Sequence, residues 1–421
     1  MPLIVLPELR VLEALYFKGQ IQIWLGFSKK QIKLLSMNKI VIVGAGGIGR
    51  AVGLILAENE SFETKIFIGD LFMKTAREAA QWIEEGVGRN CDVIPFDMPK
   101  EGANDEMIEI FKTCDVVLDC LPGSQAPRIA KMALDYDLHY ANLTEYVKET
   151  NDIIEMAASA KRGFVLQTGL APGFINVLGM KLFNDFCAAN GVDKIDKMSM
   201  KVGALTKHAR APHFYGFTWS PVGVATEYLK PCVAVRNYET VLLPALSEPE
   251  TLIVDGLTLE DNLTSGGAAD LPTALKGKVK DLDYKTLRFP GHYDWVKNVL
   301  SVIPDGEDKI KRLQDIMQQF IPAVEDDQVI VYASVQGKDN QGVLRAMEGS
   351  YCIKPMKVGT KTLRAIQTTT AAPLAECARM LCSGKWKGIV FQSQLDPEEF
   401  MNGPFVSAVY GGGKIKEAAT V

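Results

Sequence analysis

One glycine-rich stretch, Gly44–Gly49 (GAGGIG), constrains the fold of this chain more than any other feature. It directly follows the run Lys39–Val43, whose β-branched and apolar residues are typical of a buried parallel strand. Three spaced glycines between a strand and a helix match the G-x-G-x-x-G pattern of dinucleotide-binding proteins, in which they permit the tight turn, the approach of a pyrophosphate and close helix packing. The sequence therefore predicts a phosphate site at the start of a helix, formed by Gly44, Gly46, Gly47, Ile48 and Gly49.

An acidic residue at the end of the next predicted strand supports the same type of ligand. After a predicted helix over Arg50–Asn59, the strand Thr64–Gly69 ends at Asp70. This position lies about 20 residues beyond the glycines, where a carboxylate accepts hydrogen bonds from the ribose hydroxyls of NAD and repels the 2′-phosphate of NADP. NAD is therefore favoured, while Lys74 and Arg77 on the following helix keep NADP open.

The composition excludes several classes of protein. The chain has 421 residues, of which 47% are hydrophobic and 23% charged, and its formal net charge is −5, so we expect no nucleic-acid partner. No eighteen consecutive residues are apolar, so we expect neither a membrane-spanning helix nor a membrane partner. The eight cysteines include no C-x-x-C pair, and the four histidines lack metal-ligand spacing, so we expect no metal and a reducing, cytoplasmic location.

The first 36 residues are interpreted as an N-terminal extension. They are apolar and aromatic, but charged residues such as Glu8 interrupt what would be the core of a signal peptide. Met37 immediately precedes the first strand of the nucleotide fold, which suggests that the native protein starts there and that residues 1–36 are not native. The alternative is a genuine extension with a short helix around Glu8–Phe17 that packs on a partner.

From residue 37 to about residue 165, strands and helices alternate, which predicts an α/β fold with a doubly wound parallel sheet. The further predicted strands are Asp92–Asp97, Cys114–Cys120, His139–Asn142 and Phe164–Gln167. Ligands bind beyond the carboxyl ends of such strands, where the strand order reverses. We therefore expect Asp97 near the adenine, and a group of residues nearer the nicotinamide: Cys120, Leu121, Pro122, Thr144 and Gly169.

The pattern changes after the sixth strand. A glycine–proline turn, Thr168–Asn176, opens a predicted helix over Ile175–Ala189. Beyond it, strand candidates alternate with helices, which indicates a second, mixed α/β domain; they are Lys197–Gly203, Val233–Leu242, Gln328–Gln336 and Cys352–Val358. A late helix, Ala371–Leu381, is expected to return and pack on the nucleotide domain.

Four stretches of the chain, taken together and in their order, resemble the saccharopine dehydrogenase family: Val43–Gly49, Thr168–Asn176, Trp219–Tyr228 and Asp283–His292. A fifth stretch, Thr264–Gly267, is a weaker match. The resemblance implies a Rossmann domain over residues 37–168, an inserted substrate and dimerisation domain over 169–365, and a return to the Rossmann domain with a tail over 366–421. It also implies a homodimer and NAD(P)-dependent oxidoreductase chemistry at the C–N bond of a small amino-acid substrate.

One residue departs from the pattern of the family. Saccharopine reductases typically carry an Asp in the Gly-Leu-x-Pro-Gly turn, where this chain has Ala171. The change removes a polar contact expected for the large, tricarboxylic saccharopine. With Thr264–Gly267, the turn looks more like that of lysine-dehydrogenase-like members, so saccharopine and lysine-like substrates both stay open.

Within the resemblance, five residues are candidates for a role in catalysis. Arg288 is expected to hold a substrate carboxylate, because a guanidinium binds carboxylates through two parallel hydrogen bonds. Lys285 or His292 is expected to act as general acid/base. Glu145, just past the fifth strand, is expected to hold the substrate ammonium, and Tyr146 beside it is a possible proton relay.

Two alternatives remain open at this stage. A polyamine enzyme, similar to carboxynorspermidine or homospermidine synthase, would bind a diamine with extra carboxylates, for which Glu260, Asp261 and Asp270 are candidates. A non-catalytic dimer that senses the ratio of NAD to NADH would need the glycine turn and no substrate site. Arg288 distinguishes an enzyme from a sensor: an enzyme would need it for turnover, and a sensor would not.

Overall fold

The computed structural model describes residues 37–418, apart from residues 90, 146 and 305. It also describes the backbone of residues 12–17 and 20–25. Tyr146 therefore lies outside the described residues, as does most of the N-terminal extension. No helix among the described residues is long and apolar enough to cross a membrane.

The elements fall into four consecutive groups. An N-terminal hairpin consists of β1 (Leu12–Phe17) and β2 (Gln20–Leu25). The second group is β3 (Asn38–Val43), α1 (Gly47–Glu58), β4 (Thr64–Asp70), α2 (Met73–Val87), β5 (Val93–Asp97), α3 (Asp105–Phe111), β6 (Val116–Asp119), α4 (Ala126–Asp135), β7 (His139–Asn142), α5 (Val147–Ala157) and β8 (Gly163–Val165).

The third group is α6 (Phe174–Asn190), β9 (Ile195–Thr206), α7 (Pro221–Glu227), β10 (Cys232–Arg236), β11 (Glu239–Leu243), β12 (Glu250–Val254), β13 (Leu257–Leu263), α8 (Leu271–Ala274), β14 (Val279–Arg288), α9 (His292–Ser301), α10 (Lys309–Phe320), β15 (Asp327–Lys338), β16 (Leu344–Ile353), β17 (Met356–Val358) and β18 (Lys361–Leu363). The fourth is α11 (Ala365–Cys382), β19 (Gly388–Val390), α12 (Pro397–Met401), α13 (Pro404–Tyr410) and β20 (Lys414–Ala418).

The first large sheet is parallel, with strand order β19-β8-β7-β6-β3-β4-β5. Its central strand β3 is apolar and fully buried from Ile40 to Val43, because helices cover both of its faces. The strand order reverses between β3 and β6, and ligands bind at such a switch point. The prediction of a doubly wound Rossmann sheet with a second, mixed α/β domain is confirmed.

The second large sheet is mixed and follows the order β11-β10-β14-β9-β15-β16-β20, with β13 also paired to β14 and β12 to β13. Only β9 and β14 are parallel among its described pairs. One hydrophobic cluster contains both Ile42 of the Rossmann sheet and Val331 of the second sheet, so the two sheets share a core. The division of the chain at residues 36, 168 and 365 stays a prediction.

Four predicted elements differ from the structure. Cys352–Val358 is not one strand: it contains the end of β16, at Ile353, and the whole of β17. Leu12–Phe17 is a strand paired with Gln20–Leu25, not part of a helix over Glu8–Phe17. Val233–Leu242 is two strands, because Asn237 and Tyr238 both have positive φ and form the type of two-residue turn that joins a hairpin. The late helix begins at Ala365 instead of Ala371, since Thr368 and Thr369 bond to backbone carbonyls within the helix.

Candidate active site

The glycine turn has the geometry that a dinucleotide site needs. Gly44 has φ of +96°, and a Cβ there would lie 2.9 Å from the Cys120 carbonyl carbon. A Cβ on Gly49 would lie 1.8 Å from the Gly44 oxygen, so the start of α1 packs directly on the turn. By contrast, no described atom outside the neighbouring residues lies within 4 Å of the position that a Cβ on Gly46 would occupy. The turn is therefore open at Gly46. A pyrophosphate fits there, next to the N–H groups at the start of α1.

Two carboxylates lie side by side at the far edge of this region. The parallel register pairs Asp70 of β4 with Asp97 of β5. Asp70 also supports the glycine turn, because its Oδ2 accepts a hydrogen bond from the Ala45 N–H at 3.0 Å and its Oδ1 one from the Phe72 N–H at 3.2 Å. A carboxylate has lone pairs left for ribose hydroxyls after these two bonds. Both residues end neighbouring strands, as the sequence predicted, and their contacts with the ribose and the adenine stay a prediction.

A cleft of about 480 Å³ begins beside the glycine turn and extends between the two sheets. Its Rossmann wall includes Ile48 of the predicted phosphate site and the residues predicted near the nicotinamide, namely Cys120, Leu121, Pro122, Thr144 and Gly169. Its other wall comes from β9, α7, β14 and α11, and includes Trp219, Glu227, Tyr284, Thr286, Arg288, Ile366 and Thr370. Most of the lining is apolar. The ionisable side chains Glu145, Glu227 and Arg288 also line this cleft.

Two of the family-like stretches meet at the floor of this cleft. Asn176 at the start of α6 accepts a hydrogen bond from the Gly173 N–H at 2.7 Å and donates one to the Gly267 carbonyl at 3.0 Å. Gly173 must be glycine, because its φ is +133° and a Cβ would lie 2.0 Å from the Gly169 oxygen. Gly266 lies in the loop Thr264–Gly267, and because it has no side chain this loop can approach Glu145. A Cβ on Gly266 would lie 3.0 Å from the Cβ of Glu145. The turn and the loop thus position Glu145 at the cleft.

Arg288 lies at the end of β14 and is 1% exposed. Its Nη2 lies 3.1 Å from Oε1 of Glu227, its Nε donates to the Tyr228 hydroxyl at 2.7 Å, and its Nη1 donates to the Leu287 carbonyl at 3.0 Å. The guanidinium also lies 4.7 Å from the centre of the Tyr215 ring, within cation–π range. Arg288 is therefore a fixed cation in the wall of the cleft.

His292 supports this arginine from behind and does not line the cleft. Its Nδ1 lies 2.7 Å from the His213 carbonyl, which can only accept, so Nδ1 carries the proton. Its Nε2, 3.0 Å from the Tyr228 hydroxyl, then accepts from that group. Burial, and secondly Arg288, lowers the pKa of His292 to about 3, which keeps the ring neutral. The geometry favours a positioning role over the expected role of general acid/base.

Lys285 also lies away from the cleft. Successive residues of a strand point to opposite faces, so Tyr284, Thr286 and Arg288 face the cleft and Lys285 faces the reverse side of the sheet. There its Nζ donates to the Glu248 carbonyl at 2.7 Å and lies 3.1 Å from Glu250 and 3.4 Å from Asp261. The structure therefore separates Lys285 from Arg288, which the sequence analysis grouped together.

Glu227 was not singled out from the sequence, although it lies in the family-like stretch Trp219–Tyr228. It is the last residue of α7, whose start is fixed by Ser220, the N-cap that accepts from the Gly223 N–H. Burial raises the pKa of Glu227 to about 7, Arg288 opposes this increase, and Glu145 adds to it. Burial also raises the pKa of Glu145. The cleft therefore holds two carboxyl groups whose pKa values are both raised above the ordinary value.

The carboxylates proposed for a diamine lie elsewhere. Glu260 accepts from the Tyr293 N–H at 2.8 Å, Asp261 belongs to the ionic cluster around Lys285, and Asp270 accepts from the Ser393 N–H at 3.2 Å. None of them lines the cleft. Among the described residues, no group of three His, Cys, Asp or Glu side chains could hold a metal ion.

The fold and this cleft define a protein with a dinucleotide-binding Rossmann sheet and a second, mixed sheet. The chain belongs to the saccharopine dehydrogenase family: residues 40–166 match the model of the saccharopine dehydrogenase NADP binding domain, and residues 169–409 that of the saccharopine dehydrogenase C-terminal domain. The family predicted from the sequence is therefore confirmed, and so is its nucleotide-binding domain.

Curated relatives match part of the chain. An alpha-aminoadipic semialdehyde synthase of Arabidopsis thaliana is 24% identical over 264 residues, which are 58% of this chain and 23% of that protein. A shikimate dehydrogenase (NADP(+)) of Halothermothrix orenii is 28% identical over 172 residues, or 36% of this chain and 57% of that protein. The chain thus spans about a quarter of the length of the first relative and just over half of the second.

Solved structures share the fold over most of the chain. The apo saccharopine dehydrogenase (L-Glu forming) of Saccharomyces cerevisiae has a TM-score of 0.70 at 14% identity, covering 91% of this chain and 100% of that chain. The homospermidine synthase of Legionella pneumophila in complex with NAD has a TM-score of 0.65 at 13% identity, covering 91% of each chain. At these identities the likeness supports the architecture alone.

Proposed function

We propose that this protein is an NAD(P)-dependent oxidoreductase that acts at the C–N bond of a small amino acid, by oxidative deamination or by reduction of an imine. The observation that carries the proposal is the meeting of Glu145, Glu227 and Arg288 in one apolar cleft beside the nicotinamide side of the Rossmann domain. The family supports the reaction class, and the relatives named alpha-aminoadipic semialdehyde synthase support an amino-acid substrate.

Each ionisable group in the cleft has a role in this proposal. A bound nicotinamide would supply the hydride chemistry, so the protein has to bind and orient the substrate and move a proton. The guanidinium of Arg288 has more N–H donors than the three acceptors it contacts, so it can also bind a substrate carboxylate. Glu145 would hold the amino group, and Glu227 would exchange the proton of the substrate nitrogen, because its pKa of about 7 lets it both donate and accept near neutral pH.

The cofactor proposal favours NAD, with NADP as the alternative. The neighbouring carboxylates Asp70 and Asp97 would repel the 2′-phosphate of NADP. Lys74, a candidate cation for that phosphate, is 88% exposed at its side chain and lies 3.8 Å from Glu78. The family description names NADP, so both cofactors belong in the experiment.

The choice of amino acid rests on Ala171, which lines the cleft in the turn before α6. An apolar residue there gives a lysine-like substrate preference over the tricarboxylic saccharopine. A diamine is the second candidate, since the cleft holds two carboxylates against one guanidinium.

The test is formation of reduced nicotinamide by the purified protein, with NAD or NADP and with lysine, saccharopine or a diamine. Turnover with an amino acid supports the proposal, turnover with the diamine alone favours the polyamine enzyme, and no turnover with any of them contradicts both. Arg288→Ala separates an enzyme from a sensor of the NAD/NADH ratio: an enzyme loses turnover and keeps its affinity for NAD, whereas a sensor is unaffected.

We also propose a homodimer and a cytoplasmic location. The homodimer rests on the family resemblance, and sedimentation velocity of the purified chain tests it. The location rests on the described cysteines, all of which are free thiols, as expected in a reducing compartment.

A further inference from the structure

A cationic side chain from the C-terminal part of the chain lies against the glycine turn. Arg364 immediately precedes α11, and its Nη2 lies 3.9 Å from the position that a Cβ on Gly47 would occupy. One turn further on, Nε2 of Gln367 donates to the Gly47 carbonyl at 3.0 Å. The start of α11 is thus joined directly to the start of α1, where the phosphates of a dinucleotide would bind.

The backbone at this position is fixed from two sides. The side chain of Gln367 accepts a hydrogen bond from the Arg364 N–H at 3.0 Å. Asp327 at the start of β15 is fully buried and accepts from the N–H groups of Ala365 at 2.7 Å and Ile366 at 2.8 Å. Because these bonds fix the first turn of α11, the Arg364 side chain starts from a defined place beside the glycine turn.

The guanidinium of Arg364 is held weakly by its protein partners. Its Nε lies 3.5 Å from a carboxylate oxygen of Glu325, whose side chain is 88% exposed, and its Nη1 lies 3.4 Å from the Val324 carbonyl. An ion pair with so exposed a partner contributes little free energy. The guanidinium can therefore turn toward a better anion at the glycine turn, where it already approaches Gly47.

We propose that Arg364 binds the pyrophosphate of the dinucleotide, together with the N–H groups at the start of α1. A guanidinium binds phosphate through paired charge-assisted hydrogen bonds, which an exposed Glu325 does not match. The cofactor is then held between the Rossmann sheet and the C-terminal return. Since Ile366 and Thr370 of the same helix line the cleft, the bound pyrophosphate also fixes one wall of the substrate site.

This inference rests on the proposed function only in requiring that a dinucleotide binds. The main experiment is fluorescence titration of Arg364→Gln with NADH, and calorimetric titration with ADP-ribose, which has the pyrophosphate but lacks nicotinamide. We expect the Kd of both ligands to rise about tenfold, the usual effect of losing a hydrogen bond to a charged group. A loss for NADH with none for ADP-ribose would overturn the inference, because Arg364 would then act at the nicotinamide end.

Two further variants make the test independent of a folding defect. Glu325→Gln removes the competing carboxylate, so its Kd for NADH is expected to be unchanged or up to about threefold lower, as for loss of an exposed ion pair. Lys361→Gln is the matched control: this nearby cation lies 3.0 Å from Glu85 and 5.6 Å from the centre of the Trp82 ring, and its loss should leave the Kd unchanged. Weaker binding by Glu325→Gln would contradict the inference.

The outcomes also separate this inference from the proposed function. If the unchanged protein binds neither NADH, NADPH nor ADP-ribose, the proposed function fails. If it binds them and Arg364→Gln binds them equally well, the inference about Arg364 alone is wrong. Raising the salt concentration should weaken binding of NADH to the unchanged protein more than to Arg364→Gln, because salt screens the contact that the variant lacks.

Discussion

Glu227 and Arg288 form an ion pair in the wall of the cleft, with 3.1 Å between Oε1 of the carboxylate and Nη2 of the guanidinium. The arginine is further fixed by Tyr228, which in turn donates to the neutral His292. A cation at this distance would ordinarily lower the pKa of a carboxyl group, but burial outweighs it and the pKa of Glu227 is about 7. The pair therefore combines a permanent positive charge with a group that gains and loses a proton near neutral pH.

Glu227→Gln is expected to remove this proton exchange and keep the shape of the cleft. We predict that kcat falls at least about a hundredfold, the usual size of general acid–base catalysis. The pH profile of kcat/KM should show a limb near pH 7 in the unchanged protein, because Glu227 changes its protonation there, and should lack it in the variant. Steady-state kinetics across this pH range measures both effects.

The control for this prediction is Glu155→Gln, which makes the same change of charge on the exposed side of α5. It should retain both kcat and the limb near pH 7. If Glu227→Gln retains the limb, another group carries the proton, and the assignment of Glu227 is wrong.

Asp70→Asn is expected to change the choice of cofactor. The amide oxygen can still accept from the Ala45 N–H, so the glycine turn keeps its support, but the negative charge is lost. We predict that the ratio of the Kd values for NADP and NAD falls about tenfold, or about 1.4 kcal/mol, as repulsion of the 2′-phosphate decreases. Binding titrations with both reduced cofactors measure this ratio.

Asp92→Asn serves as the matched variant for Asp70, since Asp92 lies in the same domain and pairs with Lys65 at the surface. Its Kd ratio should equal that of the unchanged protein. An equal shift in both variants would mean that general electrostatics, and not the position of Asp70, selects the cofactor.

The Rossmann half of the fold could be predicted from the sequence because its signals are local. A buried strand, a glycine turn and an acidic strand end follow one another within Lys39–Asp70, and each reflects a steric or electrostatic need. The hairpin at Asn237 and Tyr238 was missed because neither residue is a glycine, although both have positive φ. The pairing of β19 with β8 joins segments far apart in the chain, so its register has no local signal.

The candidate site was only partly predictable, for a reason that Lys285 illustrates. Its distance of three residues from Arg288 suggested one site, but the alternation of a strand puts the two on opposite faces of the sheet. The sequence contains this alternation, but it could be used only after Val279–Arg288 was recognised as a strand, which the sequence analysis did not do. The partnership of Glu227 with Arg288 could not be read from the sequence, because it depends on how α7 packs against β14.

Lys285→Met tests this reassignment. Lys285 is 2% exposed and contributes to a cluster with Lys201, Glu250 and Asp261, so its removal leaves buried carboxylates with less compensation. We predict a loss of about 3 kcal/mol in the free energy of unfolding, as for breaking a buried ion pair. Urea unfolding measures the loss, and kcat of the folded variant should stay within about twofold of the unchanged protein if Lys285 only stabilises the sheet. A hundredfold lower kcat with unchanged stability would restore Lys285 as a catalytic residue.

Asp119, at the end of β6, supports the loop that the sequence predicts beside the nicotinamide. Its Oδ1 accepts from the Leu121 N–H at 3.0 Å and its Oδ2 accepts from the Tyr140 hydroxyl at 2.8 Å, and the side chain is 2% exposed. Burial raises the pKa of Asp119 to about 6 despite these hydrogen bonds. Folding therefore favours the neutral carboxyl, so the contribution of Asp119 to stability is present below the unfolded pKa of 3.8 and is lost as the pH rises through 6.

Asp119→Asn is expected to remove this pH dependence, because the amide stays neutral and its oxygen can still accept from the Leu121 N–H. We predict that the free energy of unfolding of the variant, minus that of the unchanged protein, increases by about 2 kcal/mol between pH 4 and pH 7, which follows from a pKa shift of about two units. Urea unfolding at a series of pH values measures this difference. A difference that stays constant with pH would show that Asp119 titrates in the folded protein as it does in the unfolded chain, and would contradict the effect of burial on its pKa.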